Sequence, residues 1–79
     1  MGKANQRFIP KKSFMDLLNE KQISAYGLAK KCEVAPTTIY QISQGKTEFV
    51  NSSVGLAIEI SDALDMTVEE IVKYLYKIE

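Results

Sequence analysis

The chain has 79 residues, with ten basic and ten acidic side chains, one cysteine, no histidine and no tryptophan. A single domain this small buries only about 60% of its unfolded surface, so a compact helical bundle with local contacts is its easiest solution. Without histidine there is no Ser-His-Asp or Cys-His nucleophile and no usual catalytic zinc site, and one cysteine makes neither an internal disulfide nor a thiolate cage. No apolar run approaches the roughly 18 residues of a membrane span, and no signal-peptide pattern opens the chain. Met1-Gly2 is followed at position six by Gln6, where an acylation signal wants Ser or Thr. The expectation is a cytoplasmic domain that works without cofactor, metal, membrane or small-molecule substrate.

The zero net charge hides an asymmetry. Residues 1–46 carry eight basic side chains against Asp16, Glu20 and Glu33, a balance of +5. Residues 47–79 carry Lys73 and Lys77 against seven carboxylates, a balance of −5. A basic half of this kind suits a polyanion, although scattered solvated charge would give the same count.

In chain order, residues 1–12 read as a flexible basic arm (Lys3, Arg7, Lys11, Lys12), broken by Pro10, and residues 13–79 as the folded domain. Ser13-x-x-Asp16 has the form of a capping box opening a short first helix, with Phe14, Leu17 and Leu18 inward and an end near Gln22. Ser24 is a good N-cap for a second helix over 25–32 that buries Leu28, Ala29 and Cys32, with Gly27 at some cost. Pro36 suits the first position of a third helix over 36–44, which turns Ile39 and Ile42 inward and stops at Gly45. Residues 46–52 show no period and read as a loop. Ser53 caps a fourth helix to Leu64, buried through Val54, Ala57, Ile58, Ile60, Ser61 and Leu64. Thr67-x-x-Glu70 is a second capping box, and the last helix carries Val68, Ile71, Val72 and Leu75 nearly to the chain end. No strand-like alternation appears, so the expected class is all-α, a compact five-helix domain.

The stretch 24–45 is the most informative. Two helices of about nine residues are joined by Glu33-Val34-Ala35, and the spacing Ala29-x4-Val34-x4-Ile39-x2-Ile42 fits a helix-turn-helix, whose second helix lies in the DNA major groove. Over residues 13–75 the chain resembles the lambda-repressor-like (Cro/CI, XRE-type) helix-turn-helix family. The resemblance includes Gln44-Gly45-Lys46 after the third helix and the run Ala63-Leu64-Asp65-Met66-Thr67-Val68-Glu69-Glu70-Ile71. Three departures stand out. Glu33 occupies a turn position where the family favours glycine, Leu18 and Ser43 replace a common arginine–glutamate pair, and Ala25 replaces a phosphate-gripping glutamine. The arginine and glutamate are lost together, so no buried charge is stranded.

The resemblance implies a sequence-specific double-stranded DNA-binding transcriptional regulator, a repressor that reads the groove with helix 36–44. The implied base-contacting residues are Thr37, Tyr40 and Gln41, beside Ala35 and Pro36, with Gln41 best suited because a carboxamide can pair with the N6/N7 edge of adenine. The implied phosphate contacts are Ser24, Gln44, Lys46 and Thr47. An unliganded, solvated helix face would use the same polar residues. The basic arm would follow the minor groove or the backbone, or make no fixed contact. Cys32 reads as a packed small hydrophobe. The apolar surplus at Tyr74, Leu75, Tyr76 and Ile78 points to a homodimer built partly on the C-terminal helix, or else to residues lapping over the domain's own edge. The alternative class is a protein-interaction module, such as an antitoxin or co-regulator, that uses the helix-turn-helix fold as a scaffold. No poised acid/base pair or phosphate loop favours an enzyme.

Overall fold

The computed structural model describes residues 7–79, and four of its five helices begin at a side-chain cap. Ser13 Oγ accepts the Asp16 N–H at 3.1 Å while the Asp16 carboxylate accepts the Ser13 N–H at 3.2 Å, which opens α1 (Phe14–Lys21). Ser24 Oγ accepts the Gly27 N–H at 2.9 Å and opens α2 (Ala25–Cys32). A Cβ at residue 27 would sit 3.1 Å from that same oxygen, so glycine keeps this cap tight. The third helix, α3 (Pro36–Ser43), has no side-chain cap and starts instead on proline, which has no N–H to leave unpaired. Ser53 opens α4 (Val54–Leu64), and a capping box between Thr67 and Glu70 opens α5 (Val68–Leu75).

Three of the connections share one design. Gln22, Glu33 and Asp65 each follow a helix in the left-handed conformation, at φ of 58°, 58° and 56°. The next residue is apolar in every case, and its N–H returns to a carbonyl five residues back: Ile23 to Leu18, Val34 to Ala29, Met66 to Ser61. Each of these apolar residues packs half-buried against the core, the arrangement of a Schellman closure with its hydrophobic contact. A non-glycine residue in this conformation costs about 1–2 kcal/mol. Glycine would relieve that strain but loses more freedom on folding, about 0.4–1 kcal/mol. Glu33→Gly is therefore expected to raise stability by about 0.5–1 kcal/mol, read as a higher midpoint in urea at unchanged slope.

The core draws on every helix. Leu17, Leu18, Leu28, Ala29, Ile39, Ile60 and Ile71 are almost wholly inaccessible, and α2 packs against both α3 and α4 while α1 meets α3 and α5. The expected inward set holds for α1, α2 and α3. It fails in part for α4, where Ile60, Ser61 and Leu64 are buried but Val54 and Ile58 are 76% and 49% exposed. Successive residues turn about 100° around a helix, which puts Ile58 on the side away from Ile60. Val54 and Ile58, with Phe8, Val50, Val68 and Val72, line an apolar groove of about 280 Å³.

The all-α expectation is corrected by a small sheet. Residues Phe8–Pro10 form β1 and Tyr76–Ile78 form β2, paired antiparallel with Phe8 opposite Ile78 and Pro10 opposite Tyr76. The last helix therefore stops at Leu75 instead of running on, because Tyr76 turns to extended backbone at φ −132°, ψ 148°. The second half of the expected arm is part of this structure: the Lys11 and Lys12 N–H groups both donate to the Leu75 carbonyl, at 2.8 and 3.2 Å. Residues 1–6 of that arm, Lys3 among them, lie outside the described residues. The expected featureless loop 46–52 contains a short 3-10 turn, Phe49–Asn51, whose Phe49 is buried and stacked on Phe14 at 6.2 Å.

Candidate nucleic-acid interface

The outer face of α3 is built from its inner one. Ile39 and Ile42 are buried beneath the helix, which fixes its rotation. Thr37, Tyr40, Gln41 and Gln44, spaced i, i+3, i+4 and i+7, then share one face, and all four are exposed. Ala35 is exposed beside them and Pro36 half-buried. Because three helix pairs here use the same kind of turn, the turn alone does not single out α3; its chemistry does. The residues of α3 include no charged side chain, whereas α5 carries Glu69, Glu70 and Lys73 and α2 carries Lys30 and Lys31. A neutral face rich in donors and acceptors can approach base edges between phosphates without meeting its own repulsion.

The expected phosphate contacts gather around the two ends of this helix pair. Ser24 is exposed at the start of α2; its oxygen is occupied by the Gly27 N–H, which leaves its own O–H to donate outward. Beyond α3, Gly45 adopts φ 78° and turns the chain back, so that the Lys46 and Thr47 N–H groups both donate to the Gln41 carbonyl, at 2.9 and 3.2 Å. Gln44 and Lys46 are exposed and Thr47 is half-buried. The sheet adds what the sequence left open. Lys11, Lys12, Ser13, Gly45, Thr47 and Tyr76 border one cleft of about 380 Å³, which brings the last basic residues of the arm beside the loop after α3. The Lys12 ammonium lies over the Tyr74 ring, 4.7 Å from its centre.

Comparison of the chain with protein families, with curated proteins and with solved structures finds no match.

Other residues singled out from the sequence have ordinary roles. Cys32 is buried, and burial, helped by the nearby Glu59 carboxylate, pushes its thiol pKa up, away from reactivity. Among the described residues no cluster of His, Cys, Asp and Glu could hold a metal, and no helix is long and apolar enough to cross a membrane. The C-terminal apolar residues are mostly used within the domain: Tyr76 is buried, Ile78 pairs with Phe8, and the Tyr74 hydroxyl donates to Glu20 at 2.9 Å. Sequence reasoning missed one polar contact close to this candidate surface. The Tyr76 hydroxyl donates to Glu48 Oε1 at 2.8 Å, across 28 residues. No local spacing signals such a pair.

Proposed function

We propose that this chain is a sequence-specific double-stranded DNA-binding regulator of the lambda-repressor-like type, a repressor acting in the cytoplasm, with α3 lying in the major groove. The observation that carries the proposal is the uncharged face of Thr37, Tyr40, Gln41 and Gln44 on a helix anchored by buried Ile39 and Ile42. Eight helical residues span about 12 Å, a length that suits a groove about 12 Å wide. Gln41 offers an amide donor and a carbonyl acceptor to adenine, Thr37 a hydroxyl and a methyl, and Tyr40 a hydroxyl on an apolar ring. Ser24, Gln44, Lys46 and Thr47 hold the flanking phosphates and set the register.

Titration of isotope-labelled protein with mixed-sequence duplex DNA, followed by amide NMR, tests the surface. Shifts concentrated at residues 24–27 and 35–47 are expected. Shifts centred on α4 and α5, or none at millimolar duplex, would contradict the assignment. Phosphate neutralisation supplies much of DNA affinity, and zero net charge limits it, so one domain on one half-site binds modestly. A homodimer presenting two recognition helices about 34–36 Å apart would recover affinity on a two-fold symmetric site. Sedimentation at micromolar concentration is expected to show a species near twice the 8.9 kDa chain mass. A monomer throughout that range, bound to a single half-site, would remove the dimer.

A further inference from the structure

The loop that follows α3 carries the phosphate contacts proposed above, and one side-chain bond ties that loop to the far end of the chain. Glu48 comes directly after Thr47 and two residues after Lys46. Its carboxylate accepts the Tyr76 hydroxyl at 2.8 Å. The ion pairs of the described residues are Lys73–Glu69 and Lys77–Glu79, so Glu48 has no lysine partner among them. Tyr76 is an unusually firm anchor. Its side chain is only 4% exposed, its ring packs edge-on against Phe8 at 6.1 Å, and its backbone belongs to β2. Burial, followed by the Glu48 bond, pushes its hydroxyl pKa up to about 12, so it stays a donor at any physiological pH.

Two consequences follow for Lys46 and Thr47. The backbone between Gly45 and the buried Phe49 is held at one end by the Gln41 carbonyl and at the other by the Phe14 stack. Between those points, Glu48 is where a side chain fastens it. The same bond also turns a carboxylate inward that would otherwise lie free within two residues of the lysine meant for a phosphate. A released carboxylate there would repel the DNA backbone.

Resting on the DNA-binding function proposed above, we infer that Tyr76 is a positioning residue: through Glu48 it holds the 45–48 loop so that Lys46 and Thr47 meet the phosphate backbone. The small sheet is thereby given a role in DNA affinity, since pairing of β2 with β1 keeps the Tyr76 ring in place beneath Phe8.

Tyr76→Phe tests this, because it removes the hydroxyl and keeps the ring. In the free protein, hydrogen exchange at the Lys46 and Thr47 amides is expected to quicken about tenfold, with the α2 amides unchanged. On DNA, affinity is expected to fall about three- to tenfold, and the dependence of log K on log salt to lose about one unit of slope, with base preference unaltered. In a Lys46→Ala background the same substitution is expected to leave the slope nearly unchanged and to lower affinity less than in the parent, since only the Thr47 contact and the released Glu48 carboxylate remain to be felt. Glu48→Gln, which keeps an acceptor for the tyrosine, is expected to bind within about twofold of the parent. If Tyr76→Phe folds poorly, Glu48→Ala breaks the same bond from the loop side and is read by the same exchange rates. Unchanged exchange and unchanged slope, with the parent protein binding DNA normally, would overturn the positioning role and leave the DNA-binding function standing. Faster exchange with an unchanged slope would overturn it too. A parent protein with no salt-dependent DNA binding would instead defeat the function itself, and the phosphate role of the latch with it.

Discussion

Ile39→Ala is expected to destabilise the domain by about 2–5 kcal/mol, the largest single effect of any substitution on α3. Ile39 is fully buried. The cost combines the lost burial of three methyl and methylene groups with a cavity left between α3 and α2, which pack against each other. A domain of this length has roughly 4–12 kcal/mol in total, so the variant loses a large share of its stability and is expected to unfold at a much lower urea midpoint. Ile39→Val, which removes one methylene, is expected to cost about 0.5–1.5 kcal/mol. Ile58→Ala is the useful contrast. Ile58 is as large but half-exposed, and its truncation is expected to cost under about 1 kcal/mol. Urea denaturation of the three variants measures all of this. Equal losses at residues 39 and 58 would mean that α4 is rotated relative to the arrangement described above.

Gln41→Ala is expected to weaken binding to the preferred duplex by about 1–3 kcal/mol and to relax one base position, because a bidentate carboxamide–adenine pair is lost. Folding should be almost unaffected. The side chain is exposed, and the contacts that residue 41 makes within the domain, to the Lys46 and Thr47 N–H groups, come from its backbone carbonyl and survive the substitution. Affinity for mixed-sequence DNA should also change little, since the phosphate contacts stay in place. A competition binding assay against the preferred duplex and its three base-substituted versions at the relaxed position separates these effects. Uniform weakening on every duplex would reassign Gln41 from base reading to backbone contact.

What could be read from the sequence and what could not divides along the range of the interaction. Ser13–Asp16, Ser24–Gly27, Ser53–Leu56 and Thr67–Glu70 all act over three residues, so the start of four helices was written in local spacing. Proline marked the fifth. The inner face of α3 followed from Ile39 and Ile42, and its outer face from the same period. Glu33 stands where the resembled family favours glycine, and it adopts the left-handed conformation all the same, at φ 58°, with the Val34 N–H returned to the Ala29 carbonyl.

The failures involve distant partners. Strands of three residues are too short to show alternation, and Tyr76 and Ile78 looked like one more turn of an apolar helix. Only the pairing of Phe8 with Ile78, from opposite ends of the chain, makes them strands. Phe49 looked like a loop residue because its partner, Phe14, lies 35 positions earlier. Ile58 and Val54 looked buried because α4 has more apolar residues than one stripe can hold. The Glu48–Tyr76 bond left no trace in either local sequence, since an exposed-looking glutamate and an end-of-chain tyrosine are both commonplace.

Base reading by α3 is best tested by selection from a random duplex library at near-physiological salt, with the parent protein and Gln41→Ala run in parallel. The parent is expected to enrich a two-fold symmetric motif, and the variant to lose preference at one position of each half-site while keeping the rest. Enrichment of no motif by either protein, with only generic salt-sensitive binding or none, would contradict it and leave α2 and α3 as a scaffold for contacts with another protein.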